Sequence, residues 1–300
     1  MDDKPEIGVY CAYWQKNWSE DIEDILSRAG ELGFDLLELN AAELADRSAE
    51  YFRSLARKAS NQNLKLVFCI GLGAEHDLAS ENKEIRDRGV KYLRDIIKKI
   101  NLAGASKLSG LIYAAWNPDF VDLTPEYISR IKQYSIDSLK RVLQTAEKEE
   151  IILNIEVVNR FEQFLVNTAS QARSYCHNFD SPYLQIHLDT FHMNIEEDSI
   201  YEAVIETGES LGHLHVGENN RRPPGECSVF DWDELFSALA EIEYTGDIVM
   251  EPFVIPGGTV AKDVNLWRGL GDFDGGALDL RIKEAREFME DKIAQHYNST

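Results

Sequence analysis

Apolar and polar positions along the chain follow one rhythm. A short run rich in β-branched, aromatic and leucine residues precedes a longer stretch whose apolar residues recur three and four apart, and the pairing repeats. "IGVYCAY" leads into "DIEDILSRAGELG", "DLLELN" into a helical pattern over about 47–61, and "LKLVFCIG" into one over about 82–102. "SGLIYAAW" precedes a long helix that opens at Thr124-Pro125, where proline suits the first helical position. "IILNIEVVN" precedes a helix near Thr168, "YLQIHLD" precedes "SIYEAVIETGESL", "GHLHVG" precedes "DWDELFSALAEI", and "GDIVMEPF" precedes a closing helix near Leu280. These make eight strand-then-helix units with no linker between them. Alternation of this kind predicts a parallel sheet. Eight repeats predict that it closes into a single (β/α)8 TIM barrel with its active-site loops at the C-terminal ends of the strands. An open doubly wound sheet is the competing architecture, but no G-x-G-x-x-G opens the first helix.

The length, 300 residues, fits one such barrel over 1–300, with flexible ends expected at about 1–6 and 296–300. The hydrophobic share of 44% is ample for a large core. No apolar run approaches the roughly 20 residues of a membrane span. "MDDKPEIG" shows no basic-then-apolar signal peptide. Cys11, Cys69, Cys176 and Cys227 have neither disulfide nor metal spacing, which fits reduced thiols in a cytoplasm. A formal charge of −22 repels phosphate backbones and argues against nucleic acid and anionic membranes as partners.

The tips of the later strands carry the chemistry. Strand five ends in Glu156, strand six in Asp189, strand seven in His215 and strand eight in Glu251. Consecutive strands of a closed barrel bring these side chains together over one mouth. Three clustered carboxylates repel one another and lose hydration unless a cation sits among them. Oxygen-rich ligation with one imidazole suits Mn²⁺, Mg²⁺ or Co²⁺ better than a thiolate-type zinc site. A single acid after a strand is commonly a helix cap, but four metal-type residues on four successive tips make Asp189 a ligand rather than a stray cap. His187 and His213 lie two residues before their strands' tips and point to the same interior face one layer deeper, as core histidines with satisfied rings. Glu38, ending strand two, reads as structural. Around the site, Glu162 follows strand five, His192 strand six and Arg221 strand seven, with aromatics Tyr10 and Trp14 at strand one, Trp116 after strand four and Phe253 after strand eight. Hydrogen-bonding groups beside an apolar wall suit a small polyol.

"EVVNRFEQ", "LDTFHMNIEE", "GHLHVGENNRRPPGE" and "VMEPF" together resemble the ketose 3-epimerase family, that of the D-tagatose and D-allulose (D-psicose) 3-epimerases. "GVYCAYW" and "GGTVAKDVNLWR" extend the likeness over nearly the whole chain. The resemblance implies a barrel that binds one Mn²⁺ or similar ion per subunit, acts on small ketoses, and works as a homodimer or homotetramer. It places the metal ligands on Glu156, Asp189, His215 and Glu251 and the substrate contacts on Glu162, His192 and Arg221. It also supports Glu156 and Glu251 as an acid–base pair on opposite faces of C3. One departure is the loop after strand seven, which reads "GECSVFDW" where family members carry a Gly and a basic residue before "PW", and which runs one residue longer. It bears on rim contacts and substrate preference.

Other classes fit less of the pattern. An aldose–ketose isomerase would use a similar cluster but move hydrogen between C1 and C2. A barrel endonuclease with several zinc ions would want more histidines at the mouth and a basic rim. A sugar-binding protein would gain little from three clustered carboxylates. Arg221, Arg222 and the "PGG" at 256–258 leave phosphorylated ketoses as substrates to be weighed.

Overall fold

The computed structural model describes residues 4–18, 21–118, 123–227 and 229–297. Eight parallel strands close into a barrel in chain order. They are β1 (Glu6–Tyr10), β2 (Leu36–Asn40), β3 (Lys65–Leu72), β4 (Lys107–Ala115), β5 (Ile152–Glu156), β6 (Leu184–Asp189), β7 (Leu211–Val216) and β8 (Asp247–Met250). Both faces of such a strand are covered, by helices outside and by side chains within, so the strands are apolar almost throughout. β7 is buried at every position. The outer ring includes Lys83–Leu102, Pro125–Glu149 and the closing helix Gly275–Tyr297. Side chains cap most of its members: Asn82, Thr124, Thr168 and Asp231 each accept a backbone N–H of the first turn.

The single closed barrel expected from the sequence is the fold observed. Two local readings differ. "IGVYCAY" reads as one strand, yet pairing stops at Tyr10 and Cys11–Trp14 coil into a 3-10 turn. β8 likewise stops at Met250, which leaves Glu251 as the first residue beyond it. At the ends, Glu6 already pairs with Asp247, and His296 and Tyr297 lie near or within the closing helix, with the Tyr297 hydroxyl donating to Tyr244 O at 2.7 Å. Residues 1–3 and 298–300 of the expected flexible ends lie outside the described residues. All four cysteines are free, as expected. Among the described residues, no helix is long and apolar enough to cross a membrane.

Between β3 and β4 the register slips at Gly71/Leu72. There Gly110 adopts φ +111°, and a Cβ on it would come within 2.3 Å of Ile70 O. Gly110→Ala therefore destabilises the barrel by more than about 1 kcal/mol. A urea midpoint equal to that of the parent would show this reading of the bulge to be wrong.

Candidate active site

The expected ligands converge at the C-terminal mouth. Glu156 is the last residue of β5 and Asp189 the last of β6, while His215 stands one short of the end of β7. Asp189 and His215 are direct cross-strand partners. One ligand atom each from Glu156, Asp189 and His215 lies within 4.8 Å of the others. Glu251 completes the arc, its Oε1 3.5 Å from His215 Nδ1. Asp189 proves to be a cap as well as a member of this cluster. Its Oδ1 accepts the Phe191 N–H at 2.9 Å and closes the helix Thr190–Glu196, while Oδ2 faces the site.

Burial sets the electrostatics. It pushes the Glu156 carboxyl well above its usual range, and the nearby Glu251, Asp189 and Glu162 add to the rise against the pull of His215. Asp189 would also rise on burial, but Arg221, His192 and His215 outweigh that and hold it low. Arg221 Nη1 bridges the two flanking acids, 3.0 Å from Asp189 Oδ2 and 2.8 Å from Glu251 Oε2. Its guanidinium also stacks 3.8 Å over Phe191, so its plane is fixed. Below the mouth, Glu38 meets His215 Nε2 at 2.5 Å, and His215 and His213 overcome its burial and bring its carboxyl down to about 2. His215 Nδ1 has no hydrogen-bond partner among the described residues. A buried imidazole nitrogen without a partner, facing three carboxylates, fits a divalent cation held by Glu156, Asp189, His215 and Glu251.

A second tier stands above the cluster. His192 Nε2 lies 3.4 Å from Asp189 Oδ2 and 3.7 Å from Glu156 Oε1. The Asn159 backbone N–H donates to His192 Nδ1 at 3.1 Å, so a neutral ring carries its proton on Nε2, facing the site. Glu162 accepts from Trp116 Nε1 at 2.8 Å and from Asn159 Nδ2 at 3.0 Å. Burial would raise its carboxyl, but His192, Arg221 and these two donors keep it below the usual range. Arg221 sits at φ +67° in the loop after β7. Buried Glu218 gathers that loop, its Oε1 accepting from Gly225 N, Cys227 N and Trp232 Nε1 at 2.8, 3.3 and 3.2 Å. Thus the atypical "GECSVFDW" stretch packs around a carboxylate, and its Ser228 lies outside the described residues.

These groups open into a cavity of about 430 Å³ whose wall includes Tyr10, Trp116 and Phe253. Trp116 leans over Gly71, where an added Cβ would lie 3.2 Å from its ring. Trp14 is a correction. The 3-10 turn swings it away from the cavity, and its Nε1 donates to Asp279 on the closing helix at 2.9 Å. Trp18, four residues on, lines the cavity instead, tied to Asp263 at 2.8 Å. A second correction concerns the deep histidines. Both are fully buried, but neither ring nitrogen of His187 finds a hydrogen-bond partner among the described residues. His213 has Glu38 Oε1 at 3.0 Å, off the line of a good hydrogen bond. Asn159 and Cys69 were missed as site residues. The first stands in plain view three residues after Glu156, and the second is an inward position of β3.

A single barrel of this kind, with three carboxylates and an imidazole on successive tips, has known relatives. The model of the xylose isomerase-like TIM barrel family matches residues 26–270. The chain is 36% identical to a D-psicose 3-epimerase of Enterocloster bolteae, over 94% of each chain. It is 32% identical to an L-ribulose 3-epimerase of Mesorhizobium japonicum, over 94% of this chain and 92% of that one. The crystal structure of a D-psicose 3-epimerase from Clostridium cellulolyticum H10 with D-tagatose superposes with a TM-score of 0.92, at 34% identity over 96% of this chain and 99% of that one. The chain belongs to the xylose isomerase-like TIM barrel family. Within it, the chain belongs to the ketose 3-epimerases, a group of carbohydrate isomerases.

An ion that binds only the folded protein stabilises it by about 2.7 kcal/mol at 100 times its Kd. Mn²⁺ at that excess should raise the melting temperature of the parent, and Asp189→Asn should lose most of the rise. An undiminished rise in the variant removes Asp189 from the ligand set.

Proposed function

We propose that the protein is a divalent-metal-dependent ketose 3-epimerase of free ketoses, interconverting D-fructose with D-allulose and D-tagatose with D-sorbose, and accepting L-ribulose. One observation carries the reading. Glu156 and Glu251 enter the cluster from tips three strands apart in the ring, with Asp189 and His215 between them. Two carboxylates facing each other across a small polyol are what inversion at one carbon requires.

The C3 proton of a ketose is acidic because the C2 carbonyl can accept the electron pair. Glu251 takes that proton from one face, the C3–H pair moves into a C2–C3 double bond, and O2 takes up the charge as an enediolate. Glu156, whose carboxyl burial pushes towards its neutral form, then gives its own proton to C3 from the opposite face, the double bond collapses, and the C2 carbonyl re-forms with C3 inverted. The reverse reaction exchanges the two roles. A divalent ion on the four ligands would supply Lewis-acid stabilisation of the charge at O2 and O3. Mn²⁺ suits the donor set, as do Co²⁺ and Mg²⁺. His192, with Nε2–H facing the cluster, and Arg221 donate to substrate oxygens, while Glu162 accepts from a hydroxyl. Trp116 and Phe253 wall off water.

The rim favours free sugars over sugar phosphates. Glu43, Glu75 and Asp263 line the cavity, and Glu43 is raised by burial and by the charge of Asp263. Of the two arginines that could hold a phosphate, Arg221 lies deep against Asp189 and Glu251, at the reacting end of the sugar, and Arg222 faces Glu226 at 3.6 Å. The names of the relatives, epimerases of D-psicose and L-ribulose, point the same way. A homodimer or homotetramer in the cytoplasm belongs to this reading on the strength of the family likeness.

Proton NMR in heavy water with Mn²⁺ and D-fructose or D-tagatose tests it. Deuterium at C3 together with the C3 epimer is expected, whereas label at C1 with an aldose product would make the protein an aldose–ketose isomerase. Glu156→Gln and Glu251→Gln should each lose at least about 10²–10⁴-fold in turnover while keeping the parent's circular dichroism. A folded variant that still turns over would remove its residue from the chemistry.

A further inference from the structure

We propose that Glu38 is a positioning residue for the metal ligand His215, and that a buried polar column, Lys107–Asp247–His213, braces Glu38 from the opposite end of the barrel. This rests on the reading above that His215 ligates the metal.

The interior of a barrel of this type is ordinarily filled by branched apolar side chains. Here β7 points His213 and His215 to the same interior, two residues apart. The register sets His213 beside Asp247, the first residue of β8. Lys107, the first residue of β4, reaches Asp247 Oδ2 at 2.7 Å and donates to Gly212 O at 3.1 Å, next to His213 in the chain. Asp247 Oδ2 stands 3.9 Å from His213 Nδ1. His213 Nε2 is 3.0 Å from Glu38 Oε1, and Glu38 Oε2 is 2.5 Å from His215 Nε2. The chain of contacts therefore runs from the N-terminal end of the barrel up to the ligand cluster. Glu38, His213 and His215 are fully buried.

Charges buried this deeply are tolerated only in alternation. Burial would raise the Asp247 carboxyl, but His213 and Lys107 outweigh it and hold the group well below its usual range. An anion thus stands at each side of His213.

The function of the column lies in the tautomer it selects. Glu38 can only accept, so the shared proton sits on His215 Nε2 and the lone pair is left on Nδ1, the nitrogen that faces Glu251. A carboxylate in this position also fixes the ring plane and makes Nδ1 a stronger donor to a metal. With one oxygen on each of two histidines, Glu38 cannot turn away without breaking both contacts. His213 in turn stands between Glu38 and Asp247, at 3.0 and 3.9 Å, and Lys107 pins Asp247 to the floor.

The test is metal affinity. Free Mn²⁺ would be followed by electron paramagnetic resonance during titration of the parent, Glu38→Gln and Lys107→Met. Glu38→Gln should raise the Kd about 10–100-fold, the range for lost partners of ligating histidines. Lys107→Met, at the far end of the barrel, should raise it less, though measurably. In the Mg²⁺-loaded parent, ¹⁵N-histidine NMR should show His215 protonated on Nε2 alone. If the parent itself binds no Mn²⁺, the metal reading of the site fails. If the parent binds while both variants bind equally well, the positioning role falls and the functional reading stands. Lowered melting temperatures with an unmoved Kd would mean that these residues only hold the fold together, which overturns the proposal. A shift in Glu38→Gln alone overturns the part of the column below His213. If Glu38→Gln does not fold, the parent's tautomer decides, and a proton on Nδ1 overturns the role of Glu38.

Discussion

Three carboxylates cannot remain ionised side by side at full burial without positive charge among them, and the mouth of this barrel is arranged around that constraint. Asp189 and Glu251 share the guanidinium of Arg221, which Phe191 holds in plane. Glu156 has imidazoles as its near neighbours, His192 at 3.7 Å and His187 at 4.0 Å, and burial pushes it well towards its neutral form. A carboxyl poised in this way is the environment in which one acid of a pair becomes a proton carrier. Barrel closure makes the arrangement possible. Parallel strands in ring order deliver Glu156, Asp189, His215 and Glu251 to one place without long loops, so little flexibility stands between the fold and the chemistry.

Much of this could be read from the chain because β-strands buried on both faces are apolar runs. A polar residue at the end of such a run is conspicuous, and Glu156, Asp189 and His215 are each found that way. Glu251 is found by the same logic: β8 itself ends at Met250, and the Glu251 N–H still donates to Val216 O at 2.9 Å. The failures have equally local causes. Trp14 reads as a site residue because "IGVYCAYW" keeps a strand-like composition through its last residue, but the turn at Cys11 rotates the side chain away, a matter of backbone conformation that composition does not encode. Glu38 reads as the end of strand two, but β2 runs on through Leu39 to Asn40, which sets Glu38 one layer below the tip. Only the three-dimensional pairing with His213 and His215, more than 170 residues away in sequence, shows that it faces down into the barrel. The rim was the least legible part. Glu43, Glu75 and Asp263 come from three separate short helical segments, and no periodicity links them.

The site is therefore built in tiers with different tolerances. The deepest is a set of buried carboxylates and imidazoles in close contact, where removing one carboxylate or cation leaves its neighbour's charge uncompensated. Above it stand Glu156, Asp189, His215 and Glu251, with Glu38 in contact with His215 from below. The outer tier, with Trp116 on Gly71 and Trp18 on Asp263, shapes the cavity through packing and single hydrogen bonds. Substitutions there change the space offered to the far end of a sugar while leaving the carbon-centred chemistry intact.

The double duty of Asp189 has a consequence for motion. One oxygen closes the first turn of Thr190–Glu196 and the other faces the cluster, and that same short helix carries His192 and Phe191, the support of Arg221. Fraying of one turn would then loosen an acid, an imidazole and a guanidinium together. Occupancy of the mouth and local unfolding of this segment are thermodynamically linked: whatever seats on Asp189 must also slow amide exchange at Phe191, and the site assembles or dissolves as a unit.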